Sequence, residues 1–135
     1  MAVLFEANGK VLYDGTIGKV KREFRLTRST DFMRLRRKGK SFAHPLVVLV
    51  VEPNDLDQVR IGISASQAVG NAVNRNRAKR RIRACVDILF PELKTGWDAV
   101  ILARSRDREA PFEDLLTALR QVFTRAGLLE EEHVQ

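Results

Sequence analysis

Gln58-Val59-Arg60-Ile61-Gly62-Ile63-Ser64-Ala65, followed after a short loop by Asn71-Ala72-Val73-Asn74-Arg75-Asn76-Arg77-Ala78-Lys79-Arg80-Arg81-Ile82-Arg83-Ala84-Cys85-Val86-Asp87-Ile88-Leu89-Phe90, decides the fold. In the first run Val59, Ile61 and Ile63 recur every second residue, the period of a half-buried strand. In the second, Ala78, Ile82, Cys85 and Leu89 fall on one narrow stripe at about 100° per residue, the period of a helix with a buried face. Gly70 lets the chain turn into that helix, and Pro91 prevents its continuation past Phe90.

Working outward, Pro45 to Val51 reads as a second strand, closed by Pro53 and followed by a turn at Asn54-Asp55. Before it, Ser29 suits a helix cap, Asp31 its first turn, Phe32 and Leu35 share a face, and Gly39 ends the helix. After the long helix, Trp97 to Ala103 reads as a strand. Pro111 then opens a helix with Phe112, Leu115, Leu116, Leu119, Val122 and Phe123 apolar, and Gly127 stops it. Near the N-terminus, Val3-Leu4-Phe5 and Val11-Leu12-Tyr13 flank Asn8-Gly9, a favoured dipeptide for a tight hairpin. The order, helix, strand, strand, long helix, strand, helix, predicts one α+β domain in packed layers.

With 135 residues, 44% hydrophobic and 30% charged, the chain suits one folded domain with a single modest core. Its longest apolar run, Leu46 to Val51, is far too short to cross a bilayer, so no membrane role is expected. No basic segment followed by an apolar stretch and a cleavage site opens the sequence, and a cytoplasmic location is expected. Cys85 stands alone. One Cys with only His44 and His133 does not supply a zinc ligand set, and no protein metal site is expected.

Charge carries the functional signal. A net charge of +7 and a pI near 10.2 point to a polyanionic partner. Ten basic residues lie between Lys19 and Lys40 against only Glu23 and Asp31. Between Asn71 and Val86 lie Arg75, Arg77, Lys79, Arg80, Arg81 and Arg83 with no acid, whereas Glu130, Glu131 and Glu132 make the C-terminal end acidic. On the long helix Asn76, Lys79, Arg80 and Arg83 cluster opposite the apolar stripe, with Arg75, Arg77 and Arg81 on the flanks. A phosphate backbone is bound by several cations on a rigid support, and the arginine fork can grip two phosphate oxygens or stack on a base. Asn76 can add a hydrogen bond to a base edge or a 2′-hydroxyl. The free amides at the helix start beside Asn71 add a phosphate-sized site. A merely solvated face would instead need acidic partners, and Asp87 is the only acid within this helix. Cys85, inside the apolar stripe, reads as a small core residue and not a nucleophile.

Arg60-Ile61-Gly62-Ile63-Ser64, Val69-Gly70-Asn71-Ala72-Val73 and Arg75-Asn76-Arg77-Ala78-Lys79-Arg80 together resemble the signature of the bacterial ribonuclease P protein family. Lys21-Arg22-Glu23-Phe24-Arg25-Leu26 and the stretch from Asp31-Phe32 to Gly39 resemble that family's N-terminal segment, so the likeness runs from about Val20 to Ala126. It implies a compact α+β sandwich, α-β-β-(β)-α-β-α, in which the long helix follows a left-handed βαβ crossover. It also implies a division of labour: the RNA subunit binds Mg²⁺ and cuts precursor tRNA, while the protein holds the RNA and the 5′ leader. Carried onto this chain, Arg75, Asn76, Arg77, Lys79, Arg80, Arg83, Asn71 and Arg60 would face RNA. Phe32 and Arg36 would lie by the leader cleft, with no catalytic residue and no metal ligand in the protein. The chain departs from the pattern at Gln67-Ala68, where the family has two lysines, at Ala84, where it has Glu, and at Arg36, where it has an aromatic. The expected organisation is a dispensable extension over residues 1–19, the family domain over 20–127 and an acidic tail over 128–135.

Three rival readings are weaker. A protein-only nuclease needs clustered carboxylates or an acid–base pair, and the acids here are scattered, with Asp55 and Asp57 in a turn. A ribosomal or RNA-chaperone protein shares the basic helix but not the quoted signature. A helix-turn-helix module has no strands leading directly into its long helix.

Overall fold

Strand alternation and helical periodicity meet in one mixed sheet. The computed structural model describes residues 3–6, 11–13, 29–105 and 110–130. Its elements are β1 (Val3–Glu6), β2 (Val11–Tyr13), α1 (Ser29–Lys38), β3 (Lys40–Ala43), β4 (Val47–Pro53), β5 (Val59–Ala65), α2 (Ala72–Leu89), β6 (Trp97–Ala103) and α3 (Phe112–Ala126). The sheet order is β2-β1-β5-β6-β4-β3. β3, β4 and β6 pair antiparallel, whereas β5 and β6 lie parallel, joined through α2.

One face of the sheet presents Val47, Leu49 and Val51 from β4, Val59, Ile61 and Ile63 from β5, and Ala99, Ile101 and Ala103 from β6. Against it pack the stripe Ala78, Ile82, Cys85, Val86 and Leu89 of α2 and the stripe Leu115, Ala118, Leu119, Val122 and Phe123 of α3. The opposite face presents Val50 and Val100, covered by Phe32 and Leu35 of α1. β4 and β6 are therefore buried on both faces, which explains their nearly continuous apolar runs. Each large aliphatic side chain sealed in these layers contributes about 1.5–3 kcal/mol relative to exposure.

Several boundaries move. The extra strand precedes the two read from the sequence and does not follow them: Lys40-Ser41-Phe42-Ala43 forms β3 as an edge, with no apolar run to announce it. Gly39 makes the abrupt passage from α1 to β3 possible: a Cβ there would lie 2.6 Å from Val50 Cγ1 and press on the Leu35 carbonyl. β4 begins two residues after Pro45, where the His44 amide donates to the Val47 carbonyl at 2.8 Å. It runs on through Pro53, which lies beyond the end of β3, so the missing proline N–H costs no ladder bond there. Leu128 and Leu129 belong to the core, not to an acidic tail beginning at 128; they are 0% and 4% exposed. At the end of α3 the Gly127 amide bonds to the Thr124 carbonyl and the Leu128 amide to Phe123, which turns both leucines inward.

The N-terminal strands pair antiparallel as the hairpin reading expects, although Asn8-Gly9 itself lies outside the described residues. Unforeseen is the parallel pairing of β1 with β5, from Val3 opposite Arg60 to Glu6 opposite Ile63. Among the described residues no helix is long and apolar enough to cross a membrane.

Candidate nucleic-acid interface

The long helix is built to display charge. Gly70, at φ +134°, occupies backbone space that other residues rarely enter, and a Cβ there would stand 2.8 Å from Asn74 Nδ2. Directly after it Asn71 caps α2, its side-chain oxygen accepting from the Asn74 amide at 3.0 Å. This satisfies one of the open amides that the sequence leaves at the helix start, so Asn71 acts first as a cap. Ala78, Ile82, Cys85 and Leu89 are all buried, which fixes the rotation of the helix. Asn76, Arg77 and Arg80 consequently stand exposed, and Arg75, Lys79 and Arg83 half-exposed, on the other side. Arg81, on the flank, donates to the Ala110 carbonyl and ties the segment before α3 to α2. One turn beyond Arg83, burial pushes the Asp87 carboxyl above its usual range, with Arg83 pulling the other way.

Arg60 is not part of this display. Strand alternation sends it to the opposite sheet face from Val59 and Ile61, where its Nε and Nη2 donate to both oxygens of Asp98 at 2.7 and 2.6 Å. Asp98 is 1% exposed and also accepts from Arg34 Nη2 at 2.9 Å and Asn54 Nδ2 at 2.8 Å. Arg34 in turn approaches Glu52 at 3.1 Å. Two cations and two carboxylates therefore pin α1 to β4, β5 and β6. Sequence reasoning missed this cluster, although an Asp in an apolar strand signals a need for cations nearby.

Phe32 is also placed differently from the expectation. Its ring is 7% exposed, sealed among Leu35, Val50 and Val100, so it packs α1 on the sheet. Arg36 is exposed on the outer side of α1, together with Arg37 and with Met33 at 59% exposure. Gln67 and Ala68 form an exposed 3-10 turn ahead of Gly70. Nδ1 of His44 accepts from the Leu46 amide at 3.1 Å, a turn contact; His133 lies outside the described residues. Among the described residues no group of three or more His, Cys, Asp or Glu side chains is placed to hold a metal ion.

Comparisons agree with this architecture. A family model described as Ribonuclease P matches residues 20–127. The chain is 38% identical over 111 residues to the ribonuclease P protein component of Chloroflexus aurantiacus, covering 82% of each chain. To that of Herpetosiphon aurantiacus it is 35% identical over 109 residues, 81% of this chain and 89% of the relative. Among solved structures, the RNase P protein of Staphylococcus aureus aligns with a TM-score of 0.70 at 29% identity, over 78% of this chain and 96% of that one. That of Thermotoga maritima gives 0.65 at 25% identity, over 70% and 90%. With its parallel β5–β6 pair bridged by a cation-bearing α2, the chain belongs to the ribonuclease P protein family.

Proposed function

We propose that this chain is the RNA-binding subunit of the ribonuclease P ribonucleoprotein, the endonuclease that removes the 5′ leader of precursor tRNA. It binds the ribonuclease P RNA and the leader; the RNA subunit performs the hydrolysis. The observation that carries the reading is the exposure of Arg75, Asn76, Arg77, Lys79, Arg80 and Arg83 on the side of α2 away from its buried stripe. Phosphates meeting that face release their counterions, which favours binding without sequence information, and Asn76 adds a directional hydrogen bond.

Mg²⁺ is held mainly by the RNA in this proposal. The described residues of the chain do not fit a protein-held ion, since no three or more of their His, Cys, Asp or Glu side chains group together. The protein's part is to offset repulsion between two RNAs. With Phe32 buried, the leader meets the outer face of α1, where Met33, Arg36 and Arg37 lie one helical turn apart. Its grip there is electrostatic more than aromatic.

The test is reconstitution with a ribonuclease P RNA and precursor tRNA. The purified chain with Mg²⁺ is expected to cut nothing. The RNA alone is expected to cut slowly at high Mg²⁺, and the two together at low Mg²⁺. Cleavage that follows the protein through purification after all RNA has been digested would overturn the proposal.

A further inference from the structure

Far from the α2 display lies a cavity with a different composition. In the sheet register, Ala65, Ala103 and Val47 mark one end, from which α2 departs, whereas Pro53, Trp97 and Val59 mark the other. At that second end a cavity of about 300 Å³ opens between the C-termini of α1 and α3 and the edge strand β3. Lys38, Lys40 and Arg125 line it as cations, Phe42 and Trp97 as aromatic rings, and Val51 forms part of its apolar lining. Among the described residues no acidic side chain lines it.

The cationic part is held in place. Nη1 of Arg125 donates to the Ala43 carbonyl at 2.9 Å, and its guanidinium lies over the Phe42 ring, 5.8 Å from the centroid. Both rings are half-exposed and pack at their other edges on the main core, so they form a preformed wall. Lys38 and Lys40 are exposed on either side of Gly39. Aromatic surface beside several cations, with no acid among the described lining residues, is the chemistry that takes an unpaired nucleotide: the base against a ring, its phosphate among the cations. The volume is at the lower end for a small-molecule site, about 300–1,000 Å³, which suits one nucleotide and not a helix.

We infer that this cavity is a second RNA contact, one that takes a single unpaired nucleotide of an RNA already held by α2. The inference rests on the RNA-binding reading above, and its test separates the two. Trp97 is the sole tryptophan of the chain, so its fluorescence reports the cavity alone. The full chain is titrated with 5′-phosphorylated pentaadenylate, and separately with a decamer of glutamate as a polyanion without bases. Saturable quenching by the RNA and none by the peptide is expected. Lys38→Ala with Lys40→Ala should raise the half-saturating concentration about tenfold, with the circular dichroism spectrum unchanged. Arg80→Ala with Arg83→Ala should leave that concentration within about twofold while weakening retention of ribonuclease P RNA. Absence of quenching, an unchanged Lys38/Lys40 variant, or equal quenching by the peptide overturns the inference. Loss of the Trp97 signal in the α2 variant does so too, since the cavity would then not be a separate site. Weak retention by the α2 variant together with a silent Trp97 would remove the cavity and leave the function standing.

Discussion

Replacing Asp98 by alanine is expected to cost about 3–5 kcal/mol of folding stability, a large share of what a domain of this size possesses. The carboxylate is 1% exposed and accepts four hydrogen bonds: two from Arg60, one from Arg34 and one from Asn54. Alanine leaves the Arg60 guanidinium, whose side chain is only 14% exposed, without its counter-charge against the sheet. Arg34 keeps Glu52, so the loss concentrates on the β5–β6 side. Converting both partners, Arg60→Met with Asp98→Leu, should recover much of the loss, because no charge is then buried unpaired. Urea denaturation of the single and double variants measures this. A single-variant loss below about 1 kcal/mol would show that the cluster does not hold α1 to the sheet.

Phe32→Ala is the second large effect, expected at about 3–5 kcal/mol, since the ring fills the layer between α1 and the sheet. Stacking on one unpaired base is worth about 1–3 kcal/mol of binding, and would leave stability alone. The two roles therefore separate cleanly in one comparison. A denaturation midpoint that falls sharply is the expected result. An unchanged midpoint with weaker preference for leader-bearing precursor tRNA would return Phe32 to the leader.

These two residues show where sequence reading succeeds and where it stops. Spacing alone puts Phe32 and Leu35 on one face of α1, and burial of that face is what the structure has; the leader role came from resemblance, not from spacing. The stripe Ala78, Ile82, Cys85 and Leu89 was legible for the same reason, because helical period fixes one face without knowledge of the partner. Strand alternation likewise assigns Arg60 to the face away from Ile61. It does not say that Asp98 of β6 meets it there across 38 positions of chain, or that Arg34 of α1 reaches the same carboxylate across 64, so its charge looked available for RNA. β3 was hidden by its composition: an edge strand buries little, so Lys40-Ser41-Phe42-Ala43 needs no apolar pattern. The cavity beside Trp97 was invisible because its cations come from α1, β3 and α3, which only the folded sheet brings together.

The exposed face of α2 is the centre of the account, and the salt dependence of binding probes it most directly. Binding of ribonuclease P RNA is measured across a range of monovalent salt for the natural chain and for Arg80→Ala with Arg83→Ala. Both side chains lie off the buried stripe, so the fold should persist. Each lost phosphate contact should flatten the log–log slope by about 0.7–0.9, so the double variant should fall by roughly 1.4–1.8. A folded double variant whose slope matched that of the natural chain would contradict the assignment of this face to RNA.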